Sequence, residues 1–138
     1  MSEQRRSMQW SRESGLVIKT GPGLVESAQL EPVIIATGAD FVLPVHYLDE
    51  TAVVVDLSAA TAVWRVMDGS TVAVSVTSAA LVPPATSIVT LSAARPNIVI
   101  TLSATLIATL TFTQGRQELF LTSGGIVTKV FEGLVRRR

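Results

Sequence analysis

Apolar side chains recur at every second position through much of this chain. Across residues 41–48, Phe41, Leu43, Val45 and Tyr47 alternate with Val42, Pro44, His46 and Leu48. Across residues 61–67, Ala62, Trp64 and Val66 face one way, and Val63, Arg65 and Met67 the other. A period of two marks an extended strand with two distinct faces. Further strands are predicted at 33–36, 53–57, 71–77, 87–91, 97–102, 118–122 and 126–134. From Pro32 onward these signals return about every 8–12 residues, the spacing of a sandwich of short strands. Pro44 has no N–H for a ladder, which predicts an edge strand or a bulge there.

The punctuation between the runs agrees with this reading. Asp68-Gly69 is a hairpin signal, because it supplies the positive φ angles of a tight turn. Arg95-Pro96 and Gly124-Gly125 mark two further hairpins, and Pro83-Pro84 a loop. Residues 103–110 read two ways: they continue the alternation, yet Ala, Leu and Thr there also suit one or two helical turns. Trp64 and Leu102 are assigned to the core. The predicted fold class is all-β: an immunoglobulin-like antiparallel β-sandwich over 33–138, preceded by an extended N-terminal arm over 1–32.

That arm has no long alternating run, and Gly21-Pro22-Gly23 breaks it. It still carries Trp10, Leu16, Val17 and Ile18, more apolar groups than a solvated linker holds. The expectation is that the arm makes few contacts of its own and becomes ordered against a neighbour. Leu16, Val17 and Ile18 would add a strand to the neighbour's sheet edge, and Trp10 would anchor the arm.

Composition narrows the function. Of 138 residues, 48% are hydrophobic and only 16% charged, against about 25% charged in an ordinary soluble domain. Eleven basic side chains balance eleven acidic ones. Nucleic acid is therefore not expected as a partner, since phosphate neutralisation needs a basic surplus. Arg136, Arg137 and Arg138 form the one basic cluster, read either as a solvated tail or as a contact to an acidic partner. Without cysteine there are no disulfides and no thiolate metal sites. The N-terminus lacks an apolar signal-peptide core. Residues 96–115 are uncharged and long enough to span a bilayer, but their alternation of apolar with hydroxyl side chains argues against a membrane helix. Residues 69–94 carry no charge at all. They are read as a threonine-rich solvated surface or as one covered by neighbouring subunits, with Ser75 as an outward contact residue. Uncharged edge strands there would also lack the usual protection against pairing.

Candidate chemistry is sparse. His46 is the only histidine and nothing pairs with it by spacing, so a surface or hydrogen-bonded histidine is expected in preference to a base or ligand. Asp49-Glu50 suits a solvated turn. Neither Gly21-Pro22-Gly23 nor Gly124-Gly125 is followed by the Gly-Lys-Ser/Thr of a phosphate loop. No catalytic residue, cofactor or metal is expected.

The order of motifs resembles the immunoglobulin-like module of bacteriophage virion proteins, of the kind found in baseplate upper proteins and in tail and fibre-attachment proteins. The matching stretches are Gly38-Ala39-Asp40-Phe41-Val42-Leu43, Asp56-Leu57-Ser58, Ala62-Val63-Trp64-Arg65-Val66-Met67-Asp68-Gly69 and the closing Phe131-Glu132-Gly133-Leu134-Val135. The likeness spans roughly residues 34–135, with 103–110 in the place of a short helical corner. Arg116-Gln117-Glu118-Leu119 stands where related modules often have an aromatic residue. The resemblance implies a non-enzymatic structural protein of the virion, in a tail, baseplate or fibre-attachment position. Its partners would be other virion proteins and copies of itself, with no small-molecule substrate and no membrane. A capsid decoration or cement protein is the alternative, and a glycan- or host-surface-binding module with contacts near residues 79–86 a further one. An enzyme on a small β fold is the reading with least support.

Overall fold

The computed structural model describes residues 4–5, 7–11, 15–19, 24–26, 28–79 and 87–138, with side chains at 16–18 and from 32 onward. Twelve strands and one short helix follow one another along these residues: β1 (Gln4–Arg5), β2 (Ser7–Ser11), β3 (Gly15–Lys19), β4 (Leu24–Glu26), β5 (Ala28–Ile35), β6 (Phe41–Leu48), β7 (Thr61–Asp68), β8 (Thr71–Thr77), β9 (Ile88–Leu91), β10 (Ile98–Leu102), α1 (Ala104–Ala108), β11 (Gln114–Ser123) and β12 (Ile126–Arg137). β1 and β4 form a small parallel pair. The rest make two five-stranded sheets, in the orders β2-β3-β6-β10-β9 and β5-β12-β11-β7-β8.

The alternation seen in the sequence turns one face of each sheet inward. On β7 the buried positions are Ala62, Trp64 and Val66; on β10 they are Ile98, Ile100 and Leu102. These meet Val45, Leu119, Phe131 and Ile107 in a single core, the layered packing of a β-sandwich. The strand order is immunoglobulin-like: β12, β11, β7 and β8 form one sheet with β5 parallel at its edge, and β6, β10 and β9 form the other. Trp64, on the third strand of this frame, is completely buried. The chain is all-β as expected, but its sheets are mixed rather than purely antiparallel, because β3 on β6 and β5 on β12 run parallel.

Turn chemistry closes the hairpins. Gly124 and Gly125 have φ of 58° and 80°, the left-handed values a two-residue turn requires, and Ser123 pairs with Ile126 across them. At the first hairpin the turn residues are Gly69 and Ser70, since Asp68 pairs with Thr71. The ambiguous segment is a helix. Ser103 caps it, its Oγ accepting from the Leu106 N–H at 3.1 Å, and Leu106 and Ile107 are buried.

Three expectations are corrected. The segment 1–32 is not an arm with few contacts of its own: β2 and β3 extend one sheet, and β5 crosses the proposed boundary at 32 to pair with β12. No strand forms at 53–57, where the only ladder contact is a Leu48–Val54 bridge. Irregular bonds hold the stretch instead: the Val55 amide donates to the Tyr47 carbonyl at 3.1 Å and the Leu57 amide to the Ser92 carbonyl at 3.2 Å, and side chains close the turns at its ends. Asp49 Oδ1 accepts from the Thr51 and Val53 amides, and Asp56 Oδ1 from the Ser58 amide. Finally, β6 is not an edge strand, although β3 begins pairing only at Val45, so Pro44 faces β10 alone.

Asn97 locks this region. Its Oδ1 accepts from the Tyr47 amide at 2.8 Å, and its Nδ2 donates to the carbonyls of Tyr47 (2.9 Å) and Val55 (2.8 Å). It is completely buried. Asn97→Ala takes this partner from the Tyr47 amide and the Val55 carbonyl, while the Tyr47 carbonyl keeps the Val55 amide at 3.1 Å, and is expected to cost about 2–3 kcal/mol, measured by urea unfolding. A loss below about 0.5 kcal/mol, the usual scale of a surface substitution, would show that the bonds carry no net stability.

Candidate interaction surface

The polar side chains that the fold draws together do structural work. His46 is buried on β6, and its Nδ1 accepts from Arg95 Nε at 3.0 Å. Asp49 closes the loop after β6. The Thr51 hydroxyl is the main cause holding its carboxyl below the usual range, with the Val53 amide next. Asp40 accepts from the Ala104 amide beside the helix. Among the described residues, no three His, Asp or Glu side chains gather as a metal site, and no helix is long and apolar enough to cross a membrane.

The outer face of the β5–β8 sheet holds the one dense charge cluster among the described residues. Glu118 on β11 is only 3% exposed although it points away from the core. Its register places Arg65 of β7 on one side and Glu132 of β12 on the other. Two carboxylates directly opposite would repel. Lys129 resolves this by reaching both, at 2.9 Å to Glu118 and 3.0 Å to Glu132. Arg65 Nε adds 3.2 Å to Glu118, and Arg116 lies at 3.8 Å. The Arg65 guanidinium and the Lys129 ammonium both sit over the Phe120 ring, at 5.0 and 5.7 Å from its centre. Phe120 flanks the irregularity between β11 and β12, where the register shifts after Leu119 and skips Val130 of β12. The sequence reading missed this cluster. Its partners are 53 residues apart for Arg65 and Glu118, and only strand register brings them together.

Burial on its own would raise the Glu118 pKa, but its hydrogen bonds to Lys129 and Arg65, with the charges of Lys129 and Arg116, hold it below its ordinary value. A carboxylate depressed in the folded state adds stability above its unfolded pKa, and loses that contribution as pH falls through the folded value. Stability is therefore expected to drop as pH falls from about 5 towards 3, and Glu118→Gln should flatten that part of the curve. Parallel denaturation profiles of both proteins, identical in slope over that acidic range, would refute the assignment.

One end of the sandwich exposes aliphatic side chains. Ile126 and Val127, just past the Gly124-Gly125 turn, are 70% and 64% exposed, and Val53 is also open. Beside Ile126 lies a groove of about 230 Å³ lined by Tyr47, Val55, Leu57, Leu121 and Ile126 together with Asp56, Ser123 and Thr128. A crevice of about 300 Å³ opens elsewhere, between the sheets, among Ala60, Ala79, Val89 and Leu91.

The residues expected to bind a partner separate under the fold. Leu16 and Ile18 are completely buried in their own core, and Leu16, Val17 and Ile18 pair with Val45, His46 and Tyr47 of their own chain. Donation of this strand to a neighbour is thus corrected: β6 already presents an edge inside the same molecule, and Leu16 and Ile18 fill its inner face. Trp10 pairs through its backbone with Leu16; its side chain lies outside the described residues, as do residues 80–86, where glycan contacts were considered. Ser75 is exposed on β8, as expected. The basic C-terminus is no loose tail: Arg136 and Arg137 belong to β12, and Arg137 donates to the Phe112 carbonyl at 2.9 Å and to the Thr37 hydroxyl at 3.2 Å.

No family model and no curated protein matches the chain. A solved structure described as the N-terminal domain of phage TP901-1 ORF48 is similar over 88% of this chain and 96% of that one, with a TM-score of 0.48 and 8% sequence identity. A likeness of that degree carries no inference about function.

Proposed function

We propose that this chain is a non-enzymatic structural component of a bacteriophage virion, seated in the tail, the baseplate or a fibre attachment. The observation that carries the reading is the set of open aliphatic side chains at one end of the sandwich. Ile126, Val127 and Val53 stand open, and the groove beside Ile126 is walled by Tyr47, Leu57 and Leu121. Exposed aliphatic side chains beside a groove suit a protein partner. The motif order that resembles phage tail modules supports the virion setting. The convergent polar groups, Asn97, Asp49 and Glu118, are all engaged in holding backbone or one another.

The test is to purify particles, detect the chain in them by mass spectrometry, and locate it with labelled antibody in the electron microscope. Label on the tail or baseplate is the expected result. Absence from purified particles overturns the virion reading, and label spread over the head replaces the tail placement with capsid decoration. Particles carrying Ile126→Asp should hold less of the chain, while the isolated variant keeps the wild-type melting temperature.

A further inference from the structure

β8 ends its sheet, and among the described residues no strand lies beyond it. Its residues, Thr-Val-Ala-Val-Ser-Val-Thr, include no charge and no proline, the two devices that commonly keep a sheet edge from pairing. Of the other edges, β5 carries Glu31 and Pro32, and β9 and β2 are shorter, four and five residues.

The hydrogen bonding at the start of the hairpin fixes which β8 groups are free. Val63 pairs with Thr77, so Ala62 stands opposite Ser78. The Ser78 amide donates to the Ala62 carbonyl at 3.0 Å, and the Ala62 amide donates to the Ser78 hydroxyl at 2.8 Å. That position is therefore a bonded pair. In an antiparallel ladder, bonded and non-bonded pairs alternate. Val76 and Val74 then bond to Trp64 and Val66, while the N–H and C=O of Ser75 and Thr77 point to the open edge. The bulge lies at the far end, between the Val66–Val74 and Met67–Val72 pairs, and leaves residues 74–77 regular.

We propose that β8 pairs with β8 of a second copy of this chain, antiparallel about a two-fold axis through Ser75. An axis through Ser75, whose backbone faces outward, makes a bonded pair there, whereas an axis through Val74 or Val76 would make a non-bonded pair; a cysteine at Ser75 distinguishes these registers. About Ser75 the strand is self-complementary. Ser75 exchanges both main-chain bonds with its equivalent, and Val74 stands opposite Val76 of the second copy. Both valines lie on the inner, buried face, so the pairing continues the core from one molecule into the next, and the hydroxyls of the two Ser75 residues share the outer face. A self-complementary patch is what a closed two-fold dimer needs. The pairing stands on the geometry of the strand and does not depend on the virion reading.

The test exploits the absence of cysteine from the chain. In a bonded antiparallel pair the opposed Cα atoms are about 5.5 Å apart, inside the span of about 4.4–6.8 Å that a disulfide bridges. Ser75→Cys in the full chain should yield a disulfide-linked dimer under mild oxidation. Thr71→Cys, whose two copies would lie at opposite ends of the paired strands, should not. Sedimentation velocity of the wild type should show a dimer that grows with concentration. Ser75→Pro removes only an outward donor, so it should abolish the dimer and leave the circular dichroism melt unchanged. Ser75→Cys that oxidises no faster than Thr71→Cys overturns the proposal, and so does a wild type that stays monomeric at every concentration. If Ser75→Pro disturbs the fold, the two cysteine variants still decide. A β8-linked dimer that is missing from particles would reject the virion reading alone. Particles that contain the Ser75→Cys variant but show no disulfide-linked dimer of it would reject this pairing alone.

Discussion

Replacing Trp64 with alanine is expected to cost about 3–5 kcal/mol, the range for a large aromatic removed from a packed core. Trp64 is 0% exposed and the largest of the completely buried side chains. Its loss has two parts. The ring leaves a cavity between the sheets, in the core that also holds Val66, Leu119 and Val76. Its Nε1 also donates to Gln117 Oε1 at 3.0 Å, and the Gln117 amide nitrogen has no partner among the described residues. Without the indole, both ends of a completely buried amide are left unpaired, which adds a desolvation penalty of about 1–3 kcal/mol. Trp64→Phe separates the two parts by retaining most of the volume while dropping the donor. Urea unfolding should show the alanine variant losing clearly more than the phenylalanine one, with an unchanged denaturant slope in both. Equal losses would mean that packing at this site is slack and that the hydrogen bond alone carries its stability.

Deleting Ser2 to Lys19 is expected to destabilise the isolated protein severely. The deletion removes β1, β2 and β3, opens the β6 edge over Val45–Leu48, and takes Leu16 and Ile18 out of the core. Two fully buried aliphatic side chains contribute about 3–6 kcal/mol together, against a total stability of about 5–15 kcal/mol for an ordinary domain. Ile18→Ala in the full chain isolates one of them and should cost about 2–5 kcal/mol. A truncated protein that melts at the wild-type temperature would show that the segment is an appendage after all, and would return Leu16, Val17 and Ile18 to a role outside their own domain.

These two regions also mark where sequence reading succeeds and where it stops. The alternation around Trp64 was legible because period and turn chemistry are local. Gly69 and Gly124-Gly125 carry the backbone freedom their hairpins need, with the first turn one residue later than Asp68-Gly69 suggested, and every second residue between such turns has to share a face. Leu16-Val17-Ile18 was equally visible as an apolar run, but its partner was not. A strand of three to five residues satisfies no backbone group by itself, and nothing local distinguishes an edge in the same molecule from one in a neighbour. The run at 53–57 shows the converse. Its residues suit a strand, yet Asp49, Asp56 and Asn97 take backbone groups in and beside it, and two of those three side chains act from outside the run.

By itself, then, the sequence determined the fold class, the inward faces of the central strands and the hairpin turns, because each follows from residue type and spacing along a few consecutive positions. Only the tertiary structure decided that the N-terminal segment completes both sheets, that Asn97 bonds to the backbone of Tyr47 and Val55, and that Arg65, Lys129 and Glu132 converge around Glu118. It also decided which backbone groups of β8 are left facing the open edge. Those outcomes depend on register between strands tens of residues apart, and register is set by the collective fit of the two sheets rather than by any segment alone.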